Sequence, residues 1–272
     1  MSDDYPPVAG VEHRFVEVRG LRMHVAEAGA GAGEPLLLVH GWPQHWYQWR
    51  GVMQRLGDVR RLIVPDLRGF GWSDAPAGPI DPDVFVEDLI ALLDALGIER
   101  TDLAGHDWGG FTSLLLAARH PERFRKVVAF STPHPWLKIT PRLALETWRA
   151  WYAVLLAAGI AERSPKLPTW FIGREGVAPE VYTDRLREPA RAQATTRLYR
   201  SYLRTLRDSV RGGPEEPRPR SEVLLCIGEN DQAVTPRLGQ GMPNFEPIPG
   251  AGHFVCDTHA NVVADRIRAF IL

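Results

Sequence analysis

The stretch LAGHDWGGFTSLL, Leu103 to Leu115, places Asp107 at the centre of a sharp reversal. The apolar residues before it read as the end of a buried strand, and FTSLL after it as the start of an apolar helix. Gly105 and Gly109 stand two before and two after the aspartate, where a tight strand-to-helix turn needs room for the backbone. Such a turn lifts one side chain clear of the sheet as a nucleophile, and the residue there is commonly serine. A carboxylate suits different chemistry. It is ionised at neutral pH without help, and it can displace a leaving group from a saturated carbon to leave an alkyl ester. A serine would attack a carbonyl instead.

Outward from this turn, short leucine-rich and β-branched runs alternate with helical periods. They are HRFVEV, LRMHVAE, PLLLVHG, RLIVPD, TDLAGH, KVVAFS, EVLLCIGEN and FEPIPG. Most lack a polar face, as strands of a parallel sheet covered by helices on both sides do, and the first two could form an antiparallel edge. Between RLIVPD and TDLAGH the spacing predicts a crossover helix: Asp81 as N-cap, Pro82 in the first turn, Phe85, Leu89, Leu92 and Leu96 on one face, and Gly97 as the stop. The strand pattern stops at about Pro133 and resumes after the hinge-like GGPEEPRPR, in which Gly212 and Gly213 fall. The expected organisation is therefore α/β, with residues 1–132 and 221–272 forming the sheet unit and residues 133–220 a helical cap over the carboxyl ends of the strands, where open α/β sheets bind ligands. Arg191, Arg197, Arg200, Arg204 and Arg207 in that segment read as a solvated face.

The 272 residues suffice for one large core or a core with an insertion, and 32 basic against 33 acidic residues give no hint of a nucleic acid or an anionic membrane as partner. A small molecule is the expected partner, and the oligomeric state leaves no signal. Cys226 and Cys256 are too few for a disulfide framework and read as buried thiols. MSDDYPPVAG lacks the basic start and apolar run of a signal peptide, and no run approaches a membrane span, so a soluble, cytoplasmic protein is expected.

Two residues downstream complete a triad in the order nucleophile, acid, base. Asp231 lies in GENDQAV after a resumed strand and His253 in GAGHFV after the last one. Glu229 in the same loop is a rival acid, but the glycine, the aspartate and the following QAV favour Asp231. The acid would hold the imidazole in one tautomer and stabilise it when charged. VHGWPQ, Val39 to Gln44, follows the third strand, where this arrangement brings an N–H opposite the nucleophile. Trp42 and Trp108 are the expected oxyanion-hole donors, and His40 is expected to shape the loop through a hydrogen bond. His253 would then take a proton from water attacking the ester carbon of Asp107, so the hole would serve hydrolysis of the intermediate rather than its formation. Epoxides and alkyl halides are the candidate substrates.

These motifs, HGWPQ, DLRGFGWSD (Asp66–Asp74), GHDWGG, GENDQAV and GAGHFV, make the sequence resemble the epoxide hydrolases of the α/β-hydrolase fold, over about Arg14–Thr132 and again from Glu222 to the end. The resemblance implies a mostly parallel eight-stranded sheet, a helical cap, and no cofactor or metal. It also implies two cap tyrosines that hold and protonate the epoxide oxygen. AWYAVLLAAGIAE points to Tyr152 and RLYRSY to Tyr199, although Ala153 stands where the family often has glutamine and Tyr202 lies one turn beyond Tyr199.

A haloalkane dehalogenase, which would use the same aspartate and the Trp108 indole, is the alternative implied. Dehalogenases that grip a carboxylate place arginines early on the helix after the nucleophile, whereas here the first is Arg119, which disfavours a small acidic substrate. Trp108, Trp136, Trp148 and Trp151 are candidates to line an apolar pocket, with Trp108 and Trp151 the chosen substrate contacts. A ligand-binding protein without turnover is a third reading, disfavoured by a complete triad.

Overall fold

All eight apolar runs become strands, and their alternate residues face two different layers. The structure, a computed structural model, describes residues 4–137, 147–164, 166–210, 216–239 and 241–272. The strands are β1 (Val11–Val18), β2 (Leu21–Ala28), β3 (Pro35–Val39), β4 (Arg61–Pro65), β5 (Thr101–His106), β6 (Phe124–Phe130), β7 (Glu222–Gly228) and β8 (Phe245–Ile248). They form one sheet in the order β1-β2-β4-β3-β5-β6-β7-β8. The contacts β1/β2 and β2/β4 are antiparallel, and every other pairing is parallel.

Leu37 and Val39 of β3, Val127 and Ala129 of β6, and Leu225 and Ile227 of β7 enter one core. Their neighbours Leu36, Leu38, Val128, Phe130, Leu224 and Cys226 enter the other. The first core is closed by α2 (Pro82–Ala95) and α3 (Trp108–Arg119), the second by α1 (Arg50–Leu56) and a C-terminal helix, Ala260–Ile271. Each fully buried leucine contributes roughly 1.5–3 kcal/mol, so these two layers carry most of the stability. The crossover helix forms as its residues dictate: Asp81 is extended and its carboxylate accepts from the Val84 N–H at 3.0 Å, and Pro82 opens the helix. Cys226 and Cys256 are buried free thiols.

Between β6 and β7 the described chain is helical. Its helices are α4 (Trp151–Ala157), α5 (Ile160–Arg163), α6 (Lys166–Gly173), α7 (Glu180–Leu186) and α8 (Pro189–Val210). The hinge expected at Gly212 and Gly213 lies outside the described residues. The arginines of α8 depart from a solvated face at two positions. Arg191 is 2% exposed and donates to the Ser73 carbonyl at 2.7 Å, and Arg197 donates to the Pro76 and Gly78 carbonyls at 3.1 and 3.0 Å. They satisfy the carbonyls of the loop after β4, which has no ladder partner of its own, and so fasten α8 to the sheet's carboxyl end. Arg200, Arg204 and Arg207 are exposed. After β8 come α9 (Val255–Thr258) and α10 (Ala260–Ile271). No described helix is long and apolar enough to cross a membrane.

Candidate active site

Asp107 sits on the reversal between β5 and α3 with φ 51° and ψ −120°, a conformation that L residues rarely adopt. The turn is held open by absence of side chains: a Cβ at Gly109 would stand 2.3 Å from the Val39 carbonyl, and one at Gly105 2.3 Å from that of Gly109. A larger residue at Gly109 would push the turn away from β3, and one at Gly105 would push α3 off β5. The strain places the carboxyl at the N-terminus of a twelve-residue helix, where free N–H groups and the helix dipole favour negative charge.

Asp107 Oδ2 accepts from the Trp42 backbone N–H at 2.9 Å, and the Trp108 backbone N–H also donates to the group. Oδ1 faces His253 Nε2 across 3.8 Å. Burial pushes the Asp107 carboxyl up to about 6, and His253 and the two backbone donors only partly offset it. His253 Nδ1 lies 3.0 Å from Asp231 Oδ2, and Asp231 Oδ1 accepts from the Ala233 and Val234 N–H groups at 2.8 Å each. Burial opposes the imidazolium, but the carboxylates of Asp231, Asp107 and Glu175 outweigh it and raise His253. Glu229, the rival acid, instead accepts from the Gly250 N–H at 3.2 Å.

His40 Nε2 accepts from the Leu67 N–H at 2.9 Å while Nδ1 reaches the Gly41 carbonyl at 3.0 Å. Burial lowers its pKa, so a neutral ring bridges two loops and shapes the one that carries Trp42.

Above the carboxyl is a cavity lined by Trp42, Asp107, Tyr152, Phe171, Tyr199, Ala233, His253 and Phe254. Its volume of about 10 Å³ holds roughly one water. Tyr152 and Tyr199 face each other with ring centroids 5.9 Å apart. Burial, with the Asp107 charge nearby, pushes both phenols well up, so both stay protonated donors. Tyr202 packs edge-on against Trp108 at 5.8 Å and is not part of the lining.

The tryptophans are placed differently from the sequence expectation. Trp151 is 44% exposed and packs against Tyr152, Trp170 and Phe171 outside the cavity. α4 packs on α8 with Tyr152 in the cavity lining and the preceding residue outside. Trp108 stands behind Tyr199, at 5.8 Å, rather than in the lining. The Trp136 indole donates to the Glu216 and Pro217 carbonyls at 3.0 and 2.9 Å, and Trp148 is 65% exposed. Phe171 and Phe254, not these tryptophans, supply the apolar wall; Phe254 follows His253 in GAGHFV, whereas no motif spacing singles out Phe171.

The model of the alpha/beta hydrolase fold family matches residues 34–260. This chain belongs to that family. Among relatives of this α/β hydrolase, Epoxide hydrolase 2 of Caenorhabditis elegans is 32% identical over 57% of this chain and 46% of its own length. Epoxide hydrolase 4 of Mus musculus is 39% identical over 45% of this chain and 35% of its own. Another hydrolase also matches: 2-hydroxymuconate semialdehyde hydrolase of Pseudomonas sp. (strain CF600), 40% identical over 48% of this chain and 47% of its own length. The chain thus spans less than half the length of each of these curated relatives. Among solved structures, Cfl2 from Burkholderia cenocepacia superposes with a TM-score of 0.76 at 27% identity, over 97% of both chains. A Vigna radiata epoxide hydrolase mutant gives 0.74 at 26% identity, over 96% of this chain and 98% of its own.

Proposed function

We propose that this α/β hydrolase opens an epoxide to a vicinal diol through an ester on Asp107. Residues 133–220 act as a cap on a catalytic unit made of residues 1–132 and 221–272. The observation that carries the reading is the two-sided environment of one carboxyl: Oδ2 in the Trp42 N–H, Oδ1 turned to His253 and to a cavity roofed by two tyrosines.

In the first step Oδ1 attacks a ring carbon and the carbon–oxygen bond of the ring breaks. Tyr152 and Tyr199 donate to the departing oxygen, and one of them supplies its proton. The product is an ester whose carbonyl oxygen is Oδ2, already at the Trp42 N–H group. Esterification removes the Asp107 charge, one of the three that raise His253. The imidazole therefore loses its proton more readily once the ester exists. It then takes a proton from water attacking the ester carbon, Asp231 stabilises the imidazolium, and the oxyanion on Oδ2 is met by the Trp42 N–H. Collapse breaks the bond between the ester carbon and the diol oxygen, which takes the proton of the new carboxyl; the diol leaves, the carboxylate is restored, and the proton held by His253 returns to the tyrosinate left by the first step.

The dehalogenase reading needs indole N–H groups free to hold a halide, and the cavity does not favour it. The Trp42 indole donates to Thr195 Oγ1 at 3.1 Å, and Trp108 is outside the lining. A single turnover in ¹⁸O-labelled water tests the epoxide mechanism. The label is expected in the Asp107 carboxyl and not in the first diol released; label in that diol would mean direct attack by water.

A further inference from the structure

The catalytic triad does not include the carboxylate nearest the His253 backbone. Glu175 lies two residues beyond the end of α6, in the helical insertion, yet its side chain reaches the loop after β8. Oε1 accepts from the His253 N–H at 2.9 Å and Oε2 from the Phe254 N–H at 2.9 Å. The carboxylate lies directly over Gly252: a Cβ there would stand 2.5 Å from the Glu175 carboxyl carbon and would displace it. A separate apolar cluster seats the same segment, with Ile172, Val177 and Tyr182 packed on Phe254. On the other side of the loop the His253 carbonyl accepts from His106 Nε2 at 2.8 Å.

We infer that Glu175 is a positioning residue: it clamps the His253 loop from the insertion, so that the imidazole is held in register with Asp107 when the roof of the cavity is closed. Phe171, which fills part of that roof, stands four residues earlier, near the end of α6. A cavity with room for about one water must open to admit an organic substrate. Displacing Phe171 pulls on the segment that carries Glu175, and reclosure returns both together. The inference rests on the proposed two-step mechanism. It predicts that the clamp serves the second step, in which His253 acts, and leaves the first, in which Asp107 attacks, largely untouched. The charged and titratable groups that face the imidazole are Asp231, Asp107, His106 and Glu175. Removing one anion from this set lowers the pH at which His253 gives up its proton.

The test is Glu175→Gln and Glu175→Asp in the full chain, with the two steps resolved by rapid quench and intact mass and the His253 ring titrated by NMR. In Glu175→Gln, ester formation is expected to stay within about threefold of wild type while ester hydrolysis falls about 10- to 100-fold, the penalty of a misplaced catalytic group. The His253 midpoint moves to lower pH, and Glu175→Asp, which keeps the charge, restores most of that shift. Equal loss in both steps, or a lowered Tm with hydrolysis rate and His253 midpoint unchanged, would overturn the inference and leave Glu175 a merely structural contact. If no epoxide ever forms an ester, the enzymatic reading has failed, and the His253 midpoint still decides whether the clamp acts on the imidazole.

Discussion

Two strands that flank β3, β4 and β5, are each followed by an aspartate, and the two carboxyls live in opposite conditions. Asp66, after β4, is 0% exposed and surrounded by donors: the Trp46 and Trp72 N–H groups at 2.8 Å each and His24 Nδ1 at 2.7 Å. Burial alone would raise it, but His24 first, then His45 and His40, hold it well below the usual carboxylate range. Asp107, after β5, takes the Trp42 N–H on Oδ2, while Oδ1 faces an imidazole at 3.8 Å and the side chain lines a cavity. Burial raises it to about 6. The difference teaches that enclosure does not make a carboxylate reactive. A full set of donors turns it into a fixed strut, and an unfilled oxygen beside a base and a cavity makes it available for chemistry.

The comparison breaks if exchanging either aspartate for its amide gives the other's result. Asp107→Asn is expected to lower turnover on the order of 10⁴-fold or more, as loss of a nucleophile does, with Tm unchanged or higher, because a poorly compensated charge has been removed. Asp66→Asn is expected to cost about 3 kcal/mol of stability, since an amide NH₂ cannot accept from both a backbone N–H and His24. Denaturant melts and steady-state rates on the remaining folded protein measure the two effects separately. A large activity loss at unchanged stability for Asp66→Asn would contradict its role as a strut.

Smaller effects sharpen the contrast. Tyr152→Phe and Tyr199→Phe are each expected to slow ester formation about 10²-fold, the usual effect of losing one donor to a developing oxyanion, while Tyr202→Phe changes it little. Single-turnover rates of ester formation decide this, and equal losses at Tyr202 and Tyr199 would reverse the assignment.

pH separates the aspartates again. Asp107 attacks only as carboxylate, so ester formation should fall as pH drops through about 6. Removing the His253 charge, which lowers Asp107, should move that limb to higher pH in His253→Gln. Asp66 has a folded pKa below its unfolded one, so its contribution to stability is present above the unfolded value and is lost as pH falls toward the folded one. Thermal melts at acidic pH should therefore be flatter in Asp66→Asn than in wild type.

How much of this could be read from the chain depends on what kind of signal each feature leaves. The strands are legible because apolar runs without a polar face have few other uses, and α2 because Asp81 and Pro82 mark its start. Asp107, Asp231 and His253, which the structure brings together, each stand in a loop after a strand, and such loops gather at one edge of a parallel sheet. The insertion offers no equivalent frame. Trp151 and Tyr152 are adjacent, so which one faces inward depends on how α4 rests on α8. Arg191 looks like any arginine on a helix until the Ser73 carbonyl is placed beside it. Glu175 acts on backbone N–H groups more than seventy residues away, and no spacing announces that contact.

The most direct test of the account is the intact mass of His253→Gln after incubation with a panel of epoxides and, separately, of alkyl halides. The variant keeps Asp107 and loses the base for the second step, so the ester should accumulate. An added mass equal to a whole epoxide, absent when Asp107→Asn is combined with it, is the result the account predicts. An adduct that survives Asp107→Asn, an alkyl adduct from the halides alone, or no adduct from any epoxide would contradict it.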